Sequence, residues 1–451
     1  MENNVDSIES FGYKQELKRS LSFWALLVYG ITFLNPTAPM NLYGIVVGPS
    51  SGMIALTFLF GAVAMYFTAL SYSRMATEFP ISGSIYSYAQ RSFNAHIGFV
   101  VGWTIMLDYV LLPGFLYLVT GLWLSELMPI IPYWGWIIIV IAINTFISII
   151  GIELTTKTNI TILIFELIVI FLFVLAAFWS VYYKHIGSFN IKPFFDASKF
   201  HISGLLSATS VAVMGYLGFD ALSTLSEETK NPSKIMGKAI IATVIVMGAL
   251  FVLETYMAAS VWPNYNSFTN PDVAFYFIAQ KAGGVWLRFL VFLAVIVSAI
   301  TCALVTQTGF ARLIYSMARD EMLPKFLSKV HPKYKTPYIN SILIAIISVI
   351  ASISMSLDFI TNLINFGALT AYLVIHLTVI NYFVIRKKMT DVVSLFKYLV
   401  LPIIGFVIIF YVWISLNKDA KILGFTWLIL GIIYGAIVSK GYKKVPPALN
   451  V

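Results

Sequence analysis

The chain has 451 residues, of which 59% are apolar and only 11% charged, with a mean hydropathy of +0.87. This balance excludes an ordinary soluble domain and makes a lipid bilayer the main solvent. The formal charge of +9 needs no nucleic-acid partner, because anionic lipid headgroups attract the same residues.

Twelve apolar stretches of roughly the 20 residues needed to cross a bilayer are expected, near 22–47, 52–72, 97–124, 134–152, 159–183, 203–225, 237–262, 286–310, 339–357, 361–384, 398–416 and 422–440. The first lies behind a polar tail carrying Lys14, Lys18 and Arg19, without a small-residue cleavage site, and reads as an uncleaved first helix. Of the 29 basic residues, 22 fall on the side of the N-terminus and 7 on the other. Cytoplasmic loops are enriched in Lys and Arg, so both termini are expected in the cytoplasm of a multi-pass protein of the cell membrane.

Two spans are interrupted at mid-depth. In the first, Asn35-Pro36 and then Pro39 break the helix, since each proline lacks an amide donor and displaces the carbonyl four residues back. In the sixth, Gly215 and Gly218 do so, and Asp220 follows at once. Backbone freed inside a bilayer must line a protein-enclosed cavity or solute site. Breaks in corresponding spans are the mark of inverted repeats with a site where the repeats meet, although proline kinks also occur in helices that bind nothing. The expected fold is therefore all-α, twelve transmembrane helices as two inverted five-helix repeats plus helices 11 and 12. Residues 1–20 form a cytoplasmic tail, 21–185 the first repeat, 186–384 the second, and 385–451 the last two helices with the C-terminal tail.

Acidic groups deep in a span cost about 2.5 to 3.5 kcal/mol on insertion scales and are functional candidates by default. Four qualify: Asp108, Glu166, Asp220 and Glu254. No Lys or Arg lies as deep, which points to a cation arriving from outside: a proton, Na⁺ or an amine. Asp220 can contact such a cation or cap the second half-helix, as Asp commonly does. Asp108 lies one turn after Thr104 and five residues before Pro113, in a polar notch that suits either amine contact or a neutral hydrogen bond to a neighbouring helix. Glu166 can carry a proton, help hold Na⁺, or be structural, and Glu254 lies nearer the outer end of its span, within reach of the interface. Ser298 and Thr301, three apart, share a helical face and are coupling-ion candidates, though such hydroxyls often bond their own backbone. Beside the breaks, Tyr109, Tyr216 and Phe219 offer aromatic faces for an ammonium.

Several other chemistries find no footing. The single cysteine, Cys302, and five scattered histidines (His96, His185, His201, His331 and His376) leave neither a disulfide framework nor a metal-ligand set. There is no G-x-x-x-x-G-K-[ST] phosphate loop for ATP. A channel would need a filter-like repeat or charged rings, and a membrane enzyme a paired His and Asp/Glu constellation. No cofactor is expected beyond the coupling ion.

Four stretches resemble the amino acid/polyamine/organocation superfamily of permeases, and within it the branch of bacterial putrescine importers. They are RMATEFPISGSIYSY from Arg74 to Tyr88; Gly102-Trp103 with Leu107-Asp108-Tyr109; Gly218-Phe219-Asp220 through Glu227-Glu228-Thr229; and RLIYSMARD from Arg312 to Asp320 with Leu323-Pro324 and Thr336-Pro337. The resemblance implies secondary import by alternating access, usually of an amino acid or polyamine and commonly proton-coupled, with Asp220 contributing to the central site or its gating. Glu166 sits about where some proton-coupled relatives carry a Lys, which leaves proton or sodium coupling open. In the putrescine-importer pattern an Asp follows the break in the first span, whereas here the aligned residue is Asn41. That departure turns the expectation toward amino-acid import, with a putrescine-specific importer or a substrate/product exchanger as the alternatives. The expected solute site comprises Asn35, Asn41, Asp108, Tyr109, Gly215, Tyr216, Gly218, Phe219 and Asp220.

Overall fold

The computed structural model describes residues 19–442 except 82–83, 152–155, 320–323 and 335. Ser82, Gly83, Asp320 and Leu323 of the stretches quoted above, and most of both terminal tails with Lys14 and Lys18, lie outside the described residues.

No strand occurs among the described residues, as a bilayer demands of a chain that satisfies its backbone within each segment. The α-helices, in chain order, are α1 Phe23–Leu34, α2 Ala38–Val47, α3 Ile54–Glu78, α4 Ser84–Ser92, α5 Ala95–Leu127, α6 Tyr133–Ile150, α7 Thr156–Tyr182, α8 Ile202–Ala212, α9 Pro232–Val261, α10 Ala274–Gly283, α11 Val285–Arg319, α12 Tyr338–Ser354, α13 Leu357–Val379, α14 Val392–Leu395, α15 Leu401–Ile414 and α16 Lys418–Val438. Ten helical segments among the described residues are long and apolar enough to cross a membrane, and the chain is a multi-pass membrane protein. Two short helices were not anticipated. α4 follows α3, and α10 precedes α11; each buries one face, Ile85 and Tyr88 in the first and Phe275 and Ile278 in the second.

Both expected breaks are present. The first apolar stretch is the pair α1 and α2, separated at Asn35–Thr37. The second is α8 followed by 3-10 turns at Val213–Tyr216 and Phe219–Glu228. Gly218 sits between those turns with φ +111°, and a Cβ there would lie 3.0 Å from the Phe33 carbonyl oxygen. Only glycine accepts that conformation without strain, so the two breaks touch through it. α5, by contrast, runs unbroken through Pro113.

α5 is the hub of the bundle, packing against α6, α11, α12, α13 and α16, while α3 lies along α9. Trp103 of α5 and Trp427 of α16 stack at 4.8 Å, and each indole N–H donates to the other's carbonyl oxygen at 2.9 Å. A buried network ties α5, α6, α11 and α12: Tyr117 donates to Gln307 Oε1 at 2.5 Å, and Gln307 Nε2 donates to Thr145 Oγ1 and the Ser341 carbonyl. Such fully paired polar contacts fix helix register where lipid supplies no hydrophobic drive between helices. The far end of α2 is closed over. A Cβ on Gly44 would collide with the Pro271 carbonyl oxygen, and the α7–α8 connection lies across the ends of α3 and α9 through Leu56 N to Pro193 O and Ser188 N to Ser260 O.

Candidate functional site

At mid-depth the two breaks, α5, α7 and α11 enclose a cavity of about 370 Å³. Ten of the twelve residues expected at the site line it: Asn35, Asn41, Asp108, Tyr109, Gly215, Gly218, Asp220, Glu166, Ser298 and Thr301. The lining continues from the breaks to Asn159 near the first turn of α7 and to Gly309 and Phe310 of α11. It therefore extends toward the end of the bundle that carries most of the basic loops, while the α2 end is covered.

The remaining two face elsewhere. Tyr216 is fully buried, donates its hydroxyl to the Phe58 carbonyl at 2.7 Å and packs on Phe251. Phe219 is equally buried, with Tyr72 and Tyr372 at 5.6 and 5.5 Å between ring centroids. The tight 3-10 turns and the positive φ at Gly218 rotate the flanking side chains off the cavity face, a reversal that helical spacing does not anticipate. Asp220 lines the cavity and also stands at the start of the second break. Gly218 takes the cap position of the following turn, with no side-chain cap bond, and Asp220 sits within the first turn. Its carboxylate accepts from the Tyr372 hydroxyl at 3.1 Å and turns onto the backbone amides of Gly218, Asp220 and Ala221.

Three carboxyl groups thus line the cavity, on α5, α7 and the second break, and no Lys, Arg or His stands among the lining residues. The Asp220 carboxylate acts electrostatically on Asp108. Asp108 Oδ1 and Asn41 Oδ1 are buried without a hydrogen-bond donor, and Asn41 is only 3% exposed, so the neutral hydrogen bond to a neighbouring helix considered for Asp108 is not made through that oxygen. Glu166, 4% exposed, has Ser298 as its hydrogen-bond neighbour, which brings the coupling-ion candidates into one corner against α11. Glu254 does not reach the interface. It is 0% exposed, neither oxygen has a donor, and it interacts electrostatically with Glu166.

Tyr372 carried no signal in the sequence, being an ordinary residue of an apolar span, yet it holds Asp220; Cys302, noted in the sequence only as a cysteine without a disulfide partner, lines the cavity. Cys302 is the only cysteine of the chain, which makes it a built-in probe. A small thiol reagent is expected to reach it from the side of the N-terminus and not from the other, and a bound solute is expected to slow the reaction at least about 5-fold. Mass-spectrometric labelling in vesicles of defined sidedness reads both results; labelling only from the opposite side would refute the placement of the cavity mouth.

The family model for amino acid permeases matches residues 41–444. The low-affinity putrescine importer PlaP of Escherichia coli (strain K12) is 31% identical over 440 residues, covering 96% of this chain and 96% of that protein. The branched-chain amino acid permease BcaP of Bacillus subtilis (strain 168) is 30% identical, covering 98% and 97%. The methylthioribose transporter of the same organism is 26% identical, covering 99% and 98%. With a family model over most of its length and such relatives over nearly all of theirs, the chain belongs to the amino acid permease family, within the amino acid/polyamine/organocation superfamily.

Proposed function

We propose that the chain is a secondary active importer of a small amine-bearing solute, an amino acid or a polyamine, working by alternating access across the cytoplasmic membrane. The observation that carries this reading is the mid-depth cavity lined by Asp108, Glu166 and Asp220 with no cationic side chain among its lining residues. In a low-dielectric interior such a set calls for positive charge. The relatives' names support the solute class, since they include a putrescine importer and an amino acid permease.

The twelve-span, two-repeat architecture is part of the same reading. It is supported by contact partners that recur at matched positions: α3 with α9, α5 with α11 and α6 with α12 are spans 2 with 7, 3 with 8 and 4 with 9. Both termini are assigned to the cytoplasm from the basic asymmetry, and the cavity that extends toward that side, with α2 sealed at Gly44, corresponds to an inward-facing state. Coupling is assigned to a proton carried by Glu166.

Uptake by the purified protein in proteoliposomes tests the proposal. Labelled amine is expected to accumulate above its external concentration under an imposed inward proton gradient, to saturate, and to collapse with an uncoupler. Flux that rises linearly without saturation would make the protein a channel, and accumulation that requires sodium irrespective of the proton gradient would move the coupling to sodium.

A further inference from the structure

We propose that the groove between α5, α13 and α16 binds one anionic phospholipid from the leaflet on the side of the N-terminus, with an acyl chain along the groove and the phosphate where α5 begins. The groove holds about 530 Å³ and shares no lining residue with the solute cavity. It is open to lipid, since Ile97 and Ile432 on its two sides are 38% and 42% exposed. Its body is apolar: Val100 and Val101 of α5, Ala371 and Val374 of α13, and Leu428 of α16 form the walls. One end is not. Asn94, His96 and Tyr442 gather there, where α5 starts and α16 has just ended. The His96 and Tyr442 rings meet edge to face at 5.0 Å, and the Tyr442 hydroxyl donates to the Ile432 carbonyl at 2.7 Å, which holds the polar end against the apolar wall. From His96 to Thr104, the deepest α5 residue of the lining, the groove runs about 12 Å along the helix. One leaflet of hydrocarbon is roughly 15 Å deep, so the groove suits a single chain whose headgroup stays at the interface.

Charge decides which headgroup. Arg386 Nη1 and Nη2 donate to the carbonyls of Arg91 and Phe93 at 3.0 and 2.7 Å, which fixes a guanidinium beside Asn94. Lys440 is exposed two residues before Tyr442, and the sequence continues with Lys443 and Lys444. No Asp or Glu occurs from Gln90 to Leu107 or from Ala420 to Val451, and no acidic residue lines the groove. Basic clusters directly flanking a span attract anionic headgroups. A second groove, between α3 and α9, supplies the contrast. It holds about 550 Å³ between residues such as Leu59, Val63, Val244 and Val252, without a charged, amide or imidazole side chain in its lining. The connection that reaches it at Phe194 carries Asp196 between Lys192 and Lys199. That groove takes any chain, whereas the α5–α13–α16 groove selects by charge. Its occupant also packs behind the solute site, because Ala371 precedes Tyr372, the partner of Asp220.

Lipid retained by the purified protein tests the site, whatever the protein transports. The protein is exposed to an equimolar mixture of phosphatidylglycerol and phosphatidylcholine with identical chains, repurified, and read by native mass spectrometry. The parent is expected to hold phosphatidylglycerol at least about 10-fold over phosphatidylcholine, and Lys440→Glu to cut that ratio about 5-fold or more. Val100→Trp, which fills the groove, is expected to remove the retained phosphatidylglycerol, and Val252→Trp in the α3–α9 groove to keep the parental ratio. If Val100→Trp does not fold, the parental ratio and Lys440→Glu decide. A parental ratio near one overturns the proposal, as does a ratio that Lys440→Glu and Val100→Trp leave unchanged, or one that Val252→Trp lowers equally. Displacement of the lipid by millimolar glycerol phosphate would make the ligand a free phosphate and overturn the lipid assignment.

Discussion

Asp220→Asn is expected to lower gradient-driven uptake about 100-fold, with the amount of folded protein in the membrane near parental. The substitution is nearly isosteric. An asparagine oxygen still accepts from the Tyr372 hydroxyl, now 3.1 Å from Oδ1, and still faces the amides of its own turn, so the geometry of the second break survives. What disappears is the negative charge on a cavity wall that also carries Asp108. A charge-assisted hydrogen bond is worth roughly 1.5 to 3 kcal/mol more than its absence in a buried site, and each 1.4 kcal/mol is about tenfold. Tyr372→Phe provides the comparison, because it removes the hydroxyl that orients the carboxylate and leaves the charge. It is expected to cost only about 10-fold. Initial rates in proteoliposomes, normalised to protein recovered by size-exclusion chromatography, give both values. Parental uptake by Asp220→Asn would show that the residue only fills the break.

The residues that mark the site in the sequence are those whose chemistry is costly in lipid. Prolines and glycines in an apolar run announce the breaks at Asn35 and Gly215, and Asp108, Glu166 and Asp220 stand out because charge is expensive there. Asn35, Gly215, Gly218 and the three acids line the cavity. Direction and depth were not legible. Tyr216 and Phe219 sit beside the right glycines but turn into the core, because the local chain is 3-10 and reverses at Gly218. Glu254 seemed close to the interface by counting along its span, yet α9 packs against α3, α7 and α10 and the residue is wholly buried. Contacts between distant segments left no trace at all. Tyr372 meets Asp220 across 152 positions, and the Asn35 oxygen that occupies the Thr37 amide depends on a backbone torsion that no spacing reveals.

Glu166→Gln is expected to uncouple uptake from the proton gradient while solute exchange across the membrane continues. Glu166 lies on the cavity wall with Ser298 as its hydrogen-bond neighbour and Glu254 as its electrostatic one, and no cationic side chain lines that wall. A carboxylate so placed is neutralised either by a bound cation or by a proton, because an isolated charge in a water-poor interior is costly. A carrier that moves inward only with both solute and a proton on Glu166, and returns outward only after both have been released inside, ties one movement to the other. Glutamine imitates the protonated form permanently, since its amide is uncharged and fills nearly the same volume. With that variant, acidifying the outside should no longer raise uptake, whereas the parent should gain at least about 10-fold for an inward gradient of two pH units, at most 100-fold if one proton moves per solute. Glu254→Gln separates the two buried acids: if Glu166 is the carrier, this variant keeps its response to the gradient, because Glu254 is not among the residues that line the cavity. Counterflow of unlabelled against labelled solute, measured without any gradient, checks that the Glu166→Gln site still binds. A full response to external acid in Glu166→Gln, together with loss of that response in Glu254→Gln, would transfer the proton to Glu254.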